Sequence, residues 1–431
     1  LNGSTGQKDE TSARFRTAHD CTLWPLEVTQ AQYLSYVADL PLQGLPPGRK
    51  PKAGIRLRLR TPGAVNFNQL ALQSLRVHLT GTDETAYRLY ESIMGHAIGV
   101  LAQPPASGGD KTAAWCHTLS AAAIAEVGFD DDEALLPAGL RNFQGYRLLH
   151  EYFAFPQRFL FFDLEGLGPV VKRHDGQELD IVVLLDRPNP ALEGVVDAAN
   201  FALHAAPAIN LFEHNCDRVH LNADTADYHV VPDRTRPMDF EIFDLLEVRG
   251  FGVGSGSERE FKPMYAAYHT EHPEHDAYFS LQREPRLLST KQKRQGPRST
   301  YVGSEVFISL VDPTEAPYSS DLRQLSVKAL CTNRDLPLHM PIGLGQTDFL
   351  LDISAPVESV RVLKGPSKPC STIRQADQVW KFVNHLSLNH LSLSDTDAEQ
   401  GAATLREMLE LYALNADAGM ADIARLYGLR L

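Results

Sequence analysis

The segment Ile55-Arg56-Leu57-Arg58-Leu59-Arg60 alternates aliphatic and cationic residues without a break. Successive side chains of a strand point to opposite faces, so this pattern puts three aliphatics on one face and three guanidinium groups on the other, as in a half-buried antiparallel strand. Leu75-Arg76-Val77-His78-Leu79 repeats it. Phe159-Leu160-Phe161-Phe162-Asp163-Leu164 and Ile181-Val182-Val183-Leu184-Leu185 are continuous apolar runs, suited to strands covered on both faces, and Val306 to Val311 reads the same way. Pro and Gly turns, not regular helices, separate these strands. The expected class is therefore β-rich α+β and multidomain, with two β-sandwich-like wings and a helical C-terminal segment.

Length supports more than one core. At 431 residues the chain exceeds the size at which a single hydrophobic core stops growing. With 43% apolar and 22% charged residues, its composition is that of an ordinary globular protein. Residues 1–13 read as a flexible N-terminal segment. A first β-rich wing is expected over 14–190, ending near Asp186-Arg187-Pro188-Asn189-Pro190, where two prolines break regular structure. A second wing would run over 191–369, and residues 370–431 would be mainly helical.

Two helices are legible. Thr82 can cap one whose first turn holds Asp83 and Glu84, with Tyr87, Tyr90, Met94, Ala97 and Leu101 along one side and Pro104-Pro105 as the stop. Leu405, Met408, Leu409 and Tyr412 fall at i, i+3, i+4 and i+7, an amphipathic stripe expected to pack on its own domain. The polar, basic stretch from Glu284 to Thr300, bracketed by Pro285 and Pro297, reads as an exposed loop.

Several function classes are disfavoured. Cys21, Cys116, Cys216, Cys331 and Cys370 are odd in number and never in C-x-x-C spacing, which argues against a disulfide framework or a zinc cluster and for small buried hydrophobes in a reducing compartment. No apolar run is long enough to span a bilayer. A net charge of −13 opposes general nucleic-acid binding, which needs a basic surface. Two basic runs do occur: Arg49, Lys50, Lys52, Arg56, Arg58 and Arg60, and then Arg283, Arg286, Lys291, Lys293, Arg294 and Arg298. Solvated faces are the ordinary explanation. The second run is also the candidate polar contact with a neighbouring subunit.

Chemistry-bearing motifs are weak. His269-Thr270-Glu271-His272-Pro273-Glu274-His275 offers three imidazoles and two carboxylates, and a metal-dependent hydrolase using His269, His272 and His275 is the alternative reading. Its histidines are three apart instead of at i and i+4, and Pro273 disfavours helix at His272, so a polar loop between strands is the expectation. Gly250-Phe251-Gly252-Val253-Gly254-Ser255-Gly256 has neither the register nor the Lys of a phosphate loop, and Glu258 and Glu260 beside it would repel phosphate. No G-x-S-x-G elbow is present, and Cys331 lacks a base at a diagnostic spacing. The cluster Tyr152, Phe153, Phe155, Phe159, Phe161 and Phe162 is expected to be buried; a carbohydrate-binding sandwich would instead expose aromatics in a groove. No catalytic, cofactor-binding or metal residue is assigned.

A set of ordered stretches carries more information. These are Arg14-Phe15-Arg16-Thr17-Ala18 with Leu23-Trp24-Pro25-Leu26-Glu27-Val28, then Tyr146-Arg147-Leu148-Leu149 with Glu151-Tyr152-Phe153-Ala154-Phe155-Pro156, then Phe159 to Leu164. Asn210-Leu211-Phe212-Glu213 and Ser304 to Asp312 follow, then Ala329-Leu330-Cys331-Thr332-Asn333-Arg334-Asp335-Leu336-Pro337 and His385-Leu386-Ser387-Leu388-Asn389-His390-Leu391-Ser392-Leu393. Together they resemble the TssF family, baseplate subunits of the bacterial type VI secretion machine. Family members are longer at both ends and this chain begins at Leu1, so it reads as an internal portion lacking both termini. The resemblance implies a non-enzymatic structural subunit without cofactors, lying in the cytoplasm at the inner membrane. It implies wedges built with TssG and a second TssF copy. TssE, TssK and the VgrG hub would be further partners, nucleic acid would not, and the membrane would be reached only through TssK.

Overall fold

The computed structural model describes residues 2–3, 11–41, 50–105, 113, 115–138, 144–222, 224–252, 258–264, 277–287, 298–312 and 318–370, with 403, 405, 406, 408, 409 and 412 near the C-terminus. The chain divides into two compact units, Thr17–Pro207 and Ala208–Leu431, the latter including Leu1–Arg16.

In the Thr17–Pro207 unit, strands β1 (Glu27–Leu34), β2 (Ala53–Arg60), β3 (Leu75–Leu79), β4 (Ala97–Gln103), β5 (His117–Ser120), β6 (Ile124–Glu126), β7 (Phe161–Leu164), β8 (Glu178–Leu185) and β9 (Phe201–Ala202) form two antiparallel sheets. One has the order β1-β2-β8-β4-β5 and the other β9-β3-β7-β6. Alternation decides which faces meet. Ile55, Leu57 and Leu59 of β2 join Leu179, Ile181, Val183 and Leu185 of β8 in one core with Val77, Leu79, Phe162 and Leu164 of the second sheet. The opposite face of β8 is apolar as well, since Val182 and Leu184 pack with Ile98 and Leu101, so this strand is covered on both sides as its continuous run predicts. The arginines of β2 point outward and pair across the sheet. Arg58 grips Asp180, its register partner on β8, through two bonds of 2.7 and 2.9 Å, while Arg56 reaches Gln32 and Arg60 reaches Glu27.

Helix α1 (Asp83–His96) starts as its sequence predicts, with Thr82 Oγ1 accepting the Thr85 N–H at 3.2 Å and Asp83 and Glu84 in the first turn. It ends sooner. Ala97 to Gln103 form β4, central in the sheet between β8 and β5, so Leu101 belongs to a strand. Ile98 and Val100 favour the extended backbone, and pairing on both edges satisfies amides while burying Ile98, Val100 and Leu101. That tertiary gain outweighs one more helical turn. Helix α2 (Gln144–Ala154) and the short α3 (Gly168–Arg173) complete this unit, α3 burying Val170 and Val171 in the core.

In the second unit β10 (Phe212–Asn215), β11 (Val219–His220), β12 (Asp227–Val230), β13 (Glu241–Gly252), β14 (Glu258–Pro263), β15 (Tyr278–Pro285), β16 (Ser304–Val311) and β17 (Leu322–Thr332) form one eight-stranded sheet. Its order is β10-β17-β13-β14-β15-β16-β12, with β11 also on β17; β14 and β15 run parallel and every other pair antiparallel. The sheet curls until its ends approach, and the Asp217 N–H donates to the Val231 carbonyl at 3.0 Å. One core results, with Val248, Phe261, Ile308, Leu325 and Val327 at its centre. Unlike β8, β16 is covered on one face only: Val306, Ile308 and Leu310 are buried, whereas Phe307 stacks on His229 at 4.8 Å on the outer face. Pro285 ends β15, so the expected loop from Glu284 begins as strand.

After β17 the chain leaves the sheet and runs without regular strands to Cys370. Met340 and Phe349 pack on fully buried Ala13, and Phe15 meets Phe349 edge-on at 5.1 Å. Residues Leu405, Met408, Leu409 and Tyr412 are helical, with Tyr412 buried.

Phe162 is fully buried between the two sheets of the first unit. Phe162→Ala should therefore lower that unit's stability by about 3–5 kcal/mol. Arg56→Ala, on the outer face, should change it by less than about 0.5 kcal/mol. Urea unfolding of both variants checks the contrast.

Candidate functional site

Strand β17 delivers Asn333, Arg334 and Asp335 to the edge of the second unit, where all three are buried. Asn333 acts as a four-way clamp. Its N–H donates to Asn210 Oδ1 at 2.6 Å, and its Oδ1 accepts from Asn210 Nδ2 at 2.9 Å and from the Arg14 N–H at 3.1 Å. Its Nδ2 donates to the Asp239 carbonyl at 3.3 Å, and Asn210 Nδ2 also holds the Arg14 carbonyl at 2.7 Å. Three stretches far apart in sequence, around residues 14, 210 and 333, thereby become one structure.

Arg334 follows with φ = +56°, a left-handed backbone that costs a non-glycine residue about 1–2 kcal/mol. Its guanidinium offsets that cost. Nη1 donates to the Met238 carbonyl at 2.9 Å, Nη2 to the Val302 carbonyl at 3.0 Å, and Nε lies 3.7 Å from Glu241. Glu241 is itself held by the Ser304 N–H (2.7 Å), the Ser304 hydroxyl (2.8 Å) and the Tyr301 hydroxyl (2.8 Å). Gly303 closes this corner at φ = +73°, where a Cβ would lie 2.8 Å from Glu241 Oε2.

Asp335 receives Arg298 in a bidentate pair, Nη2 at 2.6 Å and Nε at 3.1 Å, while Arg298 Nη1 binds Asp239 at 2.8 Å. Burial alone would raise the Asp335 pKa, but hydrogen bonds from Arg298 and Ser299 and the Arg298 charge draw it down to about 2. Thr11 Oγ1 donates to the other Asp239 oxygen at 2.7 Å.

A second buried charge network lies in the Thr17–Pro207 unit. Helix α2 turns Arg147 and Glu151 inward, and the turn after it supplies Arg158; all three are buried. Glu151 pairs with Arg158, accepts the Leu136 N–H at 2.9 Å and lies 3.5 Å from Arg147, whose Nη2 binds Asp131 at 2.9 Å. Arg158 Nη2 also binds the Gly128 carbonyl at 2.5 Å. Gly128 has φ = +97°, and a Cβ there would press on Arg158. Glu133 links this loop to β3 through Arg76 at 2.8 Å, and Arg76 holds Asp163 of β7 through bonds of 2.9 and 2.8 Å.

His19 and His78 flank Phe161 beside this network, with ring centroids 5.1 and 4.3 Å from it. Burial, then the positive charges of Arg76 and Arg158, then His78, lower the His19 pKa to about 3. Burial lowers His78 to about 4 despite its bond with the Gln157 backbone.

These arrangements hold structure together and leave little for chemistry. Each carboxylate above is spent on arginines or amides. Cys331 faces the core, fully buried, and the neighbouring Cys216 thiol and burial hold its thiol well above the usual range. Cys216 is buried too, but Cys21 and Cys370 are exposed, so the cysteines are not uniformly core residues. Of the aromatic cluster, Phe153, Phe159, Phe161 and Phe162 are buried and Tyr152 and Phe155 half-buried, unlike a stacking groove. Among the described residues no group of three or more His, Cys, Asp or Glu is placed to hold a metal. His269, His272 and His275 lie outside the described residues, as do Gly254, Gly256 and the stretch His385 to Leu393.

The second basic run reads differently in three dimensions. Arg283 donates to the Ile242 carbonyl at 2.7 Å and to that of Phe243, Arg286 to the Pro237 carbonyl at 2.6 Å, and Arg298 to Asp335 and Asp239. These three bond within the chain, although Arg283 stays exposed; Lys291, Lys293 and Arg294 lie outside the described residues. Charge density in sequence cannot distinguish an arginine facing solvent from one closing a turn 40 to 60 residues away. The same separation hides Asp239 and Glu241, which no local pattern marks.

Comparison with known proteins gives this architecture its relatives. The family model described as "Type VI secretion system, TssF" matches residues 1–429. This chain belongs to the TssF family. The type VI secretion system component TssF1 of Pseudomonas aeruginosa is 48% identical over 418 residues, which cover 97% of this chain and 66% of that protein. The chain thus spans just under two thirds of that relative's length. A chain of the type VI secretion system TssK-TssF-TssG baseplate subcomplex, determined by cryo-electron microscopy, shares the fold with a TM-score of 0.67 at 23% identity, over 97% of this chain and 69% of that one. In this TssF-family chain Arg14, Arg147, Glu151, Asn210 and Asn333 to Asp335, which lie in the stretches quoted for the resemblance, take part in the two networks together with residues outside those stretches, such as Arg158, Asp239 and Arg298. Among the described residues no helix is long and apolar enough to cross a membrane.

Two outcomes follow from these networks. Arg298→Met strands the Asp335 carboxylate without its cation and should destabilise the second unit by about 3–5 kcal/mol in denaturant unfolding. His19 and His78 are neutral when folded and titrate near 6.5 when unfolded, so unfolding takes up protons below that pH. Their contribution is complete above pH 6.5 and is lost as pH falls toward about 4 for His78 and about 3 for His19. The unfolding free energy of the Thr17–Pro207 unit should then fall with acid, and His19→Phe should make that slope shallower between pH 6 and 5, with His78 and His204, whose pKa burial also lowers, carrying the remainder, as measured by pH-dependent urea titration.

Proposed function

We propose that this protein is a structural, non-enzymatic subunit of the type VI secretion baseplate, forming wedges with TssG and recruiting the remaining subunits for assembly of the contractile tail. The observation that carries this reading is the family match along the chain, with a fold shared with a chain of the TssK-TssF-TssG subcomplex. The internal use of charge supports it. Buried ion pairs tied by directional hydrogen bonds make rigid corners, which suits a scaffold that must present fixed surfaces.

On this reading TssG is the direct wedge partner, joined by a second TssF copy. TssK connects the wedge to the inner-membrane complex, TssE binds the wedge, and the VgrG hub sits at the centre. The protein works in the cytoplasm, at the inner face of the membrane and without crossing it. It needs no cofactor and no nucleic acid. Its net charge of −13 is consistent with the last point, because phosphate binding requires a basic surface.

Co-expression of the full-length protein with the TssG of the same gene cluster tests the proposal. A stable co-purified complex, with more of this chain than of TssG by light-scattering mass, is expected. A full-length protein that stays alone and monodisperse overturns the wedge role; elemental analysis would then decide the hydrolase reading, which requires stoichiometric zinc at His269, His272 and His275.

A further inference from the structure

Among its described residues, the second unit holds two apolar clusters that share no member. One fills the sheet, with Val248, Phe261, Ile308, Leu325 and Val327 at its centre. The other lies off the sheet: fully buried Ala13 joins Met340 and Phe349, with Phe15, Ile342, Val360 and Val362 packed against them. Five of these seven side chains come from residues 340–362. Ala13 and Phe15 come from the N-terminal segment, more than 300 residues away in sequence, and Phe15 meets Phe349 edge-on at 5.1 Å.

The two sides of this smaller cluster are held by different means. The N-terminal segment is fixed by the polar corner. Thr11 Oγ1 donates to Asp239 at 2.7 Å, the Arg14 N–H to Asn333 Oδ1 at 3.1 Å, and Asn210 Nδ2 to the Arg14 carbonyl at 2.7 Å. Residues 340–362 are tied to themselves. The Asp348 carboxylate accepts the Gly343 N–H at 2.6 Å and the Val362 N–H at 2.9 Å, while the Asp348 N–H donates to the Val360 carbonyl at 2.8 Å. Thr347 Oγ1 accepts the Val360 N–H at 3.0 Å and donates to the Phe349 carbonyl at 2.7 Å. Such bonds give the segment a shape of its own without joining it to the sheet. Its partners in the apolar cluster are Ala13 and Phe15.

We propose that Ala13 and Phe15 form a latch for residues 340–362, and that loss of this seat lets the segment open as one block while the eight-stranded sheet stays folded. Stability is not uniform along a chain, and a block with few buried apolar contacts opens at a lower free energy than the core. Here the smaller cluster has three buried members and the sheet's cluster eighteen, so the segment is the weaker block. Opening it also leaves the polar corner paired, since Asp239 keeps Arg298 and Asn333 keeps Asn210. The N-terminal segment thereby sets the order of a stretch that follows the last strand of the sheet.

Hydrogen exchange of the full-length protein, followed by mass spectrometry, tests the latch in Phe15→Ala, Phe349→Ala and the double variant. Exchange over residues 343–362 should be at least tenfold faster in each single variant, because the bonded amides of Gly343, Asp348, Val360 and Val362 belong to the block that opens. In β13 and β17 it should change less than twofold. The double variant should exchange no more than about twofold faster than either single one, because both substitutions remove one shared contact. Phe15→Leu, which keeps part of that contact, should show a smaller change of the same pattern. Unchanged exchange over 343–362 in Phe15→Ala makes the segment self-supporting and overturns the latch. Equal acceleration in the segment and the sheet, in Phe15→Leu as in Phe15→Ala, makes the whole unit one cooperative block and overturns it as well.

Discussion

The bidentate pair between Arg298 and Asp335 is the interaction on which the second unit depends. An ionised carboxylate removed from water costs several kcal/mol, and only matched donors offset it. Here Arg298 supplies two bonds to Asp335 and a third to Asp239. Asp239 in turn holds Thr11, and its carbonyl holds Asn333. The consequence is geometric. The segment at Thr11 and Arg14, the segment at Asn210, the turn before β13, the approach to β16 and the exit of β17 share one polar corner, so none can move without unpairing a buried group in another.

The Thr17–Pro207 unit solves a similar problem with Glu151. That carboxylate lies between two arginines and the Leu136 amide of the loop that precedes α2. Through Glu133 and Arg76 the loop is tied to the centre of the four-stranded sheet. Both units therefore use burial for cohesion and charge for register. Aliphatic side chains fill the cores, where any close-packed set of the right volume serves, whereas the directional bonds of Arg, Asn and Asp admit one arrangement.

This division of labour bears on function. In this chain the buried polar corners are architectural, and keeping a corner intact keeps the elements attached to it in place.

How much of this was legible beforehand follows from the range of each signal. The period-2 alternation of residues 55–60 determined a strand and its buried face, because side-chain direction depends only on position along the backbone. Thr82 with Asp83 and Glu84 determined a helix start for the same local reason. The end of α1 was not local: residues 97–103 have apolar spacing that suits either a helix or a buried strand, and β8 and β5 on either side decided for the strand. Likewise the run 306–311 reads as doubly covered, yet its burial alternates, with Val306, Ile308 and Leu310 buried and Phe307 half-buried against His229 on the outer face. Local pattern and family resemblance in the sequence determined the β-rich class and the family. Only the tertiary structure decided which arginines are struts, because their partners stand tens to hundreds of residues away and a charge carries no record of where the chain will bring its counter-charge.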